Sequence, residues 1–117
     1  MLTQDFANHF AFDWIAAWNA HDLERILSHY REDFEMSSPY IAQLMGEPGG
    51  KLKGKLAVGD YWRHALQRMP TLHFELVSTL VGVDSIVPYY KGARGMAAEA
   101  FFFDAAGLVV RANAHYV

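Results

Sequence analysis

The chain contains no cysteine, which excludes a disulfide framework, a thiolate-held metal and a cysteine nucleophile. Long apolar runs are absent too. Acids and polar residues interrupt the opening MLTQDFANHF, where a secretion signal would carry a basic start and a continuous apolar stretch, and no window reaches membrane-spanning length. A soluble, cytoplasmic protein with no membrane partner is the expectation. Positive charge is also in short supply. Ten Lys and Arg face thirteen Asp and Glu, for a net charge of −3, and apart from Lys51, Lys53 and Lys55 the cations are scattered. No basic face is available for nucleic acid. The six histidines form no HxxxH or HxH pair, and there is no phosphate loop or Ser, His, Asp set at a recognisable spacing. Neither a metal nor another cofactor is expected.

What the chain does hold is apolar and aromatic. Hydrophobic residues make up 52% and aromatics 15% of 117 residues, enough to bury the core of one domain spanning 1–117 and too short for two. Thr3 can cap a first helix reaching about Asn19, with Phe6, Phe10, Trp14 and Trp18 in an i+4 row. Asp22 is placed to cap a second helix, in which Leu23, Ile26, Leu27 and Tyr30 recur at i, i+3, i+4 and i+7. Phe34, Met36 and Ser38 then alternate with Glu35 and Ser37 as a strand does, and Pro39 stops that strand.

Residues 40–54 hold four of the nine glycines and show no period. They read as a long loop, either a lid with Tyr40, Ile41, Leu44 and Met45 facing inward or a surface excursion. From Lys55 to Met69 the spacing of Val58, Tyr61, Trp62, Ala65, Leu66 and Met69 predicts a third helix. Four strands follow: one around Leu72, Phe74 and Leu76, a short one whose Pro88 implies an edge or a bulge, then MAAEAFFFD and LVVRANAHYV. The order ααβαββββ with hairpin-length connections is an α+β arrangement, three helices on a mostly antiparallel sheet.

On WIAAWNAHDLERILSHYREDFEMSSP, GKLAVGDYWRHAL and AEAFFFDAAGLVVRANAHY, in that order, the chain resembles the nuclear transport factor 2-like superfamily. That is the cone-shaped α+β fold of ketosteroid isomerases, scytalone dehydratase, limonene epoxide hydrolase and the SnoaL-like polyketide cyclases. The resemblance implies a curved sheet around a pocket, and a homodimer paired through a sheet face carrying His73, Glu75, Arg111, Asn113 and His115. Against the isomerases, the oxyanion-binding tyrosine falls on Trp14, the general-base aspartate on Ser38 and the second oxyanion acid on Glu99. Of the supporting tyrosines, one falls on Tyr30 and another on Trp62. A serine hydroxyl cannot serve as a base with a pKa near working pH, so steroid isomerisation is not expected.

Glu99 carries the chemistry that remains. Ala97, Glu99, Phe101 and Phe103 share one strand face, where a carboxyl would be desolvated, hold its proton and donate to a ligand oxygen. The alternative is an outward Glu99 paired with Arg111 on the next strand. On the last strand Val110, Ala112, Ala114 and Tyr116 form the apolar, cavity-facing set. The expected lining is Trp14, Trp18, Tyr30, Met36, Ser38, Tyr40, Tyr61, Trp62, Ala97, Glu99, Phe101, Ala112 and Tyr116, with Glu99 and Trp14 as the catalytic pair. Such a cup suits a small hydrophobic ligand, an aromatic or polycyclic carbonyl or hydroxyl compound. Three readings follow: acid–base catalysis of isomerase, cyclase or lyase type, binding without turnover, and a dimerisation module whose cup is plugged by its own side chains.

Overall fold

Thr3 opens the first helix, its hydroxyl accepting the Phe6 amide at 3.1 Å, and α1 runs Gln4–Asn19 in this computed structural model, which describes all 117 residues. Asp22 caps α2 (Leu23–Leu27) by accepting the Arg25 amide at 3.1 Å. That helix lasts only five residues. Tyr30 does not close it, as the i+7 spacing suggested, but opens β1 (Tyr30–Ser37), because the Val109 amide bonds the His29 carbonyl at 2.9 Å and draws the chain into the sheet.

Residues 40–54 are not an aperiodic loop. Ser38 caps α3 (Pro39–Met45) by accepting the Tyr40 amide at 3.1 Å, Pro39 takes the first helical position, and Gly46 ends the helix in the left-handed region at φ 66°. Next comes β2 (Lys51–Lys53), a short edge strand antiparallel to β1, with lysines at both ends that discourage further pairing. The chain therefore has four helices and six strands where the spacing suggested three and five.

The remaining elements are α4 (Lys55–Arg68), β3 (Glu75–Val81), β4 (Ser85–Gly92), β5 (Gly95–Phe103) and β6 (Val109–Tyr116). None of the helices is long and apolar enough to cross a membrane. Strand order is β2-β1-β6-β5-β4-β3, antiparallel throughout except for β1 beside β6. β3 starts at Glu75 rather than Leu72, because Asn19 has taken the backbone of the approach. Its side-chain amide donates to the Phe74 carbonyl at 3.0 Å and accepts the Phe74 amide at 2.7 Å, while His21 binds the Leu72 carbonyl at 3.0 Å.

Pro88 lies buried in β4, an interior strand. It marks neither an edge nor a bulge of its own strand: register with β5 is constant from Ile86↔Phe101 to Tyr89↔Ala98, and the slip toward β3 falls at Val77. A second slip falls at Val110, so Val109 rather than Val110 enters the core, while Ala112 and Ala114 keep their inward phase. Bulges of this kind bend a sheet, and this one curves around the aromatic face of α1 and α4. The helices approach closely where Gly59 of α4 passes α2, since a Cβ there would stand 3.1 Å from Leu27 Cδ1.

Asp13 ties the opening elements together. One carboxylate oxygen takes the Arg25 guanidinium and the other meets His29 Nε2 at 2.7 Å, and the Arg25 hydrogen bond, ahead of His29, holds the Asp13 pKa below its ordinary 3.8. Such a carboxylate stabilises the fold above its unfolded pKa and loses that contribution as pH falls through the folded value. The cluster is partly exposed, so Asp13→Asn should cost about 0.5–1 kcal/mol at neutral pH. Urea midpoints of the two proteins should converge as pH drops below 3.8.

Candidate functional site

β5 alternates so that Ala97, Glu99 and Phe101 point inward, and Glu99 is only 3% exposed. Arg111 is on the opposite face with its guanidinium over the Phe102 ring, so the outward ion pair does not form. In front of Glu99 lies a cavity of about 140 Å3. Its walls are Trp14 and Trp18 from α1, Tyr61 and Trp62 from α4, Tyr40 and Leu44 from α3, Met36 and Ser38 at the end of β1, and Ala97 and Tyr116 from the sheet.

Three expected wall residues stand behind this surface. Tyr30, Phe101 and Ala112 are fully buried in the core, packed among Phe34, Trp62 and Phe10, and do not reach the cavity. Trp14 lines the cavity with its ring, but its indole N–H already donates to the Tyr30 hydroxyl at 2.9 Å. Trp14 is therefore not the free donor that its alignment with an oxyanion-binding tyrosine implied. Of the expected inward residues of α3, Tyr40 and Leu44 reach the cavity, Ile41 is in the core and Met45 is exposed. Spacing missed Leu72, Phe74 and Tyr90 as wall residues, along with the β4–β5 turn from Gly92 to Gly95. The alternation of Leu72 with Phe74 was visible, but the Asn19 clamp that turns them to the cavity joins residues far apart in the chain. Histidines 21 and 29 are fold ties, the first to the Leu72 carbonyl and the second to Asp13.

The electrostatics of the cup centre on one acid. Burial raises the Glu99 pKa from 4.5 to about 8, and only the Tyr90 hydroxyl beside it works in the other direction. Burial and then the field of Glu99 push Tyr30, Tyr61, Tyr90 and Tyr116 above the ordinary phenol value, so all four stay neutral donors. Two buried polar atoms have no hydrogen-bond partner: Glu99 Oε2 and Trp18 Nε1. Both belong to residues lining the same cavity. Ser38, which the resemblance aligns with the isomerase base, caps α3 through its hydroxyl.

Because the folded pKa of Glu99 lies above its unfolded value, burial carries no ionic penalty below 4.5, and the penalty grows until about 8. Across that window the native protein should lose stability relative to Glu99→Gln at up to about 1.4 kcal/mol per pH unit, then run parallel to it. Denaturant unfolding of both proteins over this range measures the gap; parallel curves throughout would mean that Glu99 is solvated.

A family model described as SnoaL-like domain matches residues 11–112. A SnoaL-like protein of unknown function from Burkholderia thailandensis E264 is 57% identical, with a TM-score of 0.97 over 98% of this chain and 97% of its own. An NTF2-like protein from Anabaena variabilis ATCC 29413 is 16% identical, with a TM-score of 0.76 over 100% of this chain and 95% of its own. A proposed isomerase of the SnoaL-like family from Agrobacterium tumefaciens C58 is also 16% identical, with a TM-score of 0.73 over 94% of this chain and 96% of its own. The last two show the fold alone. Among curated protein sequences none matches.

Proposed function

The chain belongs to the SnoaL-like domain family, and from that footing we propose that its cup holds a compact cyclic compound bearing a carbonyl or hydroxyl oxygen. The observation that carries this reading is that Trp18 and Glu99, both lining one apolar cavity, each hold a buried polar atom, Nε1 and Oε2, without a partner. A buried donor without a partner costs about 1–3 kcal/mol, and a ligand oxygen placed between the two would recover it. The volume sets the size of the guest. An apolar cavity of roughly 150 Å3 accommodates benzene, so a cup of about 140 Å3 takes one ring rather than a polycycle.

Glu99 keeps its proton at neutral pH and so acts as a donor, with Trp18 as the second donor to the same oxygen. Two fixed donors in a dry site polarise a carbonyl and stabilise an enolate, which is the part of isomerase, cyclase or lyase chemistry that this chain retains. Binding without turnover is the second reading, favoured by the engagement of Ser38 in the α3 cap, which leaves no base facing the acid. Pairing of two copies through the outer sheet face belongs to the same proposal, and sedimentation equilibrium tests it.

Calorimetric titration with cyclohexanone, cyclohexenone and phenol tests the cup. Trp18→Phe and Glu99→Leu should each weaken the best of these about tenfold, the equivalent of about 1.4 kcal/mol. Glu99→Gln still donates and should bind within a few-fold of the native protein. Loss of enone turnover in that variant would identify catalysis, whereas unchanged affinity in Trp18→Phe and Glu99→Leu would remove the proposed oxygen site.

A further inference from the structure

One side chain on the wall of the cup carries a permanent charge, and it stands at the mouth. Glu99 is neutral at the bottom, and the charged lining side chain is Arg94, in the turn between β4 and β5. Its guanidinium sits 4.7 Å from the centre of the Tyr40 ring, and Tyr40 in turn stacks on Tyr116 at 4.4 Å. Arg94 also faces Tyr61, whose pKa it lowers against the larger effect of burial. Of the other arginines, Arg25 pairs with Asp13, Arg31 with Asp33 and Arg63 with Asp60, while Arg68 and Arg111 pair with no acid but do not line the cup. Arg94 has no acid and no hydrogen-bonding partner within the fold, although an aromatic plane holds it over the opening.

We propose that Arg94 receives the carboxylate of the ligand, so that the natural guest is a cyclic keto or hydroxy acid, its ring in the cup, its oxygen at Trp18 and Glu99 and its carboxylate at the mouth. This rests on the reading of the cup given above and names the class of compound within it. The geometry separates the two ends. Glu99 lies four residues along β5 from Gly95, roughly 14 Å of antiparallel strand, so acid and cation bracket the length of the cup rather than sharing one group. The number of charges selects the anion. One guanidinium with no second cation on the wall balances one negative charge, and its planar fork matches a carboxylate with two parallel N–H donors. A phosphate monoester, carrying close to two charges, would be left half neutralised.

The test uses three probes built on one ring: a cyclohexanone with a carboxylate on the carbon opposite its ketone, the methyl ester of that acid, and the corresponding phosphate ester. Titrations are run on the native protein and on Arg94→Gln, an exposed position whose change leaves the core untouched. The native protein should bind the carboxylate at least about tenfold tighter than the methyl ester, and added salt should reduce that preference. Arg94→Gln should lose the preference while keeping its affinity for the ester. Equal affinity for acid and ester, or a preference that survives Arg94→Gln, would overturn the assignment of Arg94 and leave the cup reading standing. Tighter binding of the phosphate ester would overturn the choice of carboxylate. Failure of all three probes to bind would overturn both readings.

Discussion

Everything in the cup depends on a carboxyl buried without a counter-charge. Glu99 enters the interior because β5 alternates strictly from Ala97 to Phe101, and reversing its direction would turn Phe101 out to solvent as well. The apolar residues on either side thus hold the acid in place, and its protonated state follows from their dryness. With the proton retained, the carboxyl is a donor rather than an anion, and the same burial keeps the four neighbouring phenols protonated. One placement on one strand decides the polarity of the whole pocket.

The helical layer leaves a space in front of that acid because two potential plugs are held elsewhere. Tyr30 and Trp14 satisfy each other through one hydrogen bond, which anchors the phenol behind the wall and fixes the indole ring as lining. Phe74 is fastened at both backbone groups by Asn19, so its ring stacks toward Trp14 and Tyr90 instead of continuing a strand ladder. Trp18 lacks such a neighbour. Its N–H remains a buried donor with nothing to bind, and Tyr30, by occupying Trp14, is what separates the roles of these two tryptophans.

Much of this was legible in the chain. The caps at Thr3 and Asp22, the i+4 aromatic row and the phase of β5 are local patterns, and local patterns survive folding when the core enforces them. The signal for α3 was also present, since Ser38, Pro39 and Gly46 occupy the cap, first-turn and terminating positions of a short helix. Pro39 carries two signals at once, ending β1 and opening α3, and the first masks the second. Three features had no local trace. The bulges at Val77 and Val110 exist only in the pairing of strands, the Asn19 clamp joins residues 55 apart, and the interior place of the Pro88 strand is set by the order of the sheet. The misassigned wall residues follow from this: Ala112 and Phe101 had the right phase, but depth behind a curved sheet is not a property of phase.

Ser38 shows how far the fold constrains the chemistry. Its hydroxyl caps α3, yet aspartate caps a helix as well as serine does, so the scaffold would accept a carboxylate at this position without losing the helix. The absence of a base is therefore a property of this sequence and not a requirement of the architecture. A carboxylate there would also stand close to Tyr61, Tyr116 and the buried Glu99, adding a second acid to a dry space and raising the cost of ionising either one. With serine the cup stays neutral apart from the arginine at its mouth, which suits a site that grips an oxygen at one end and an anion at the other.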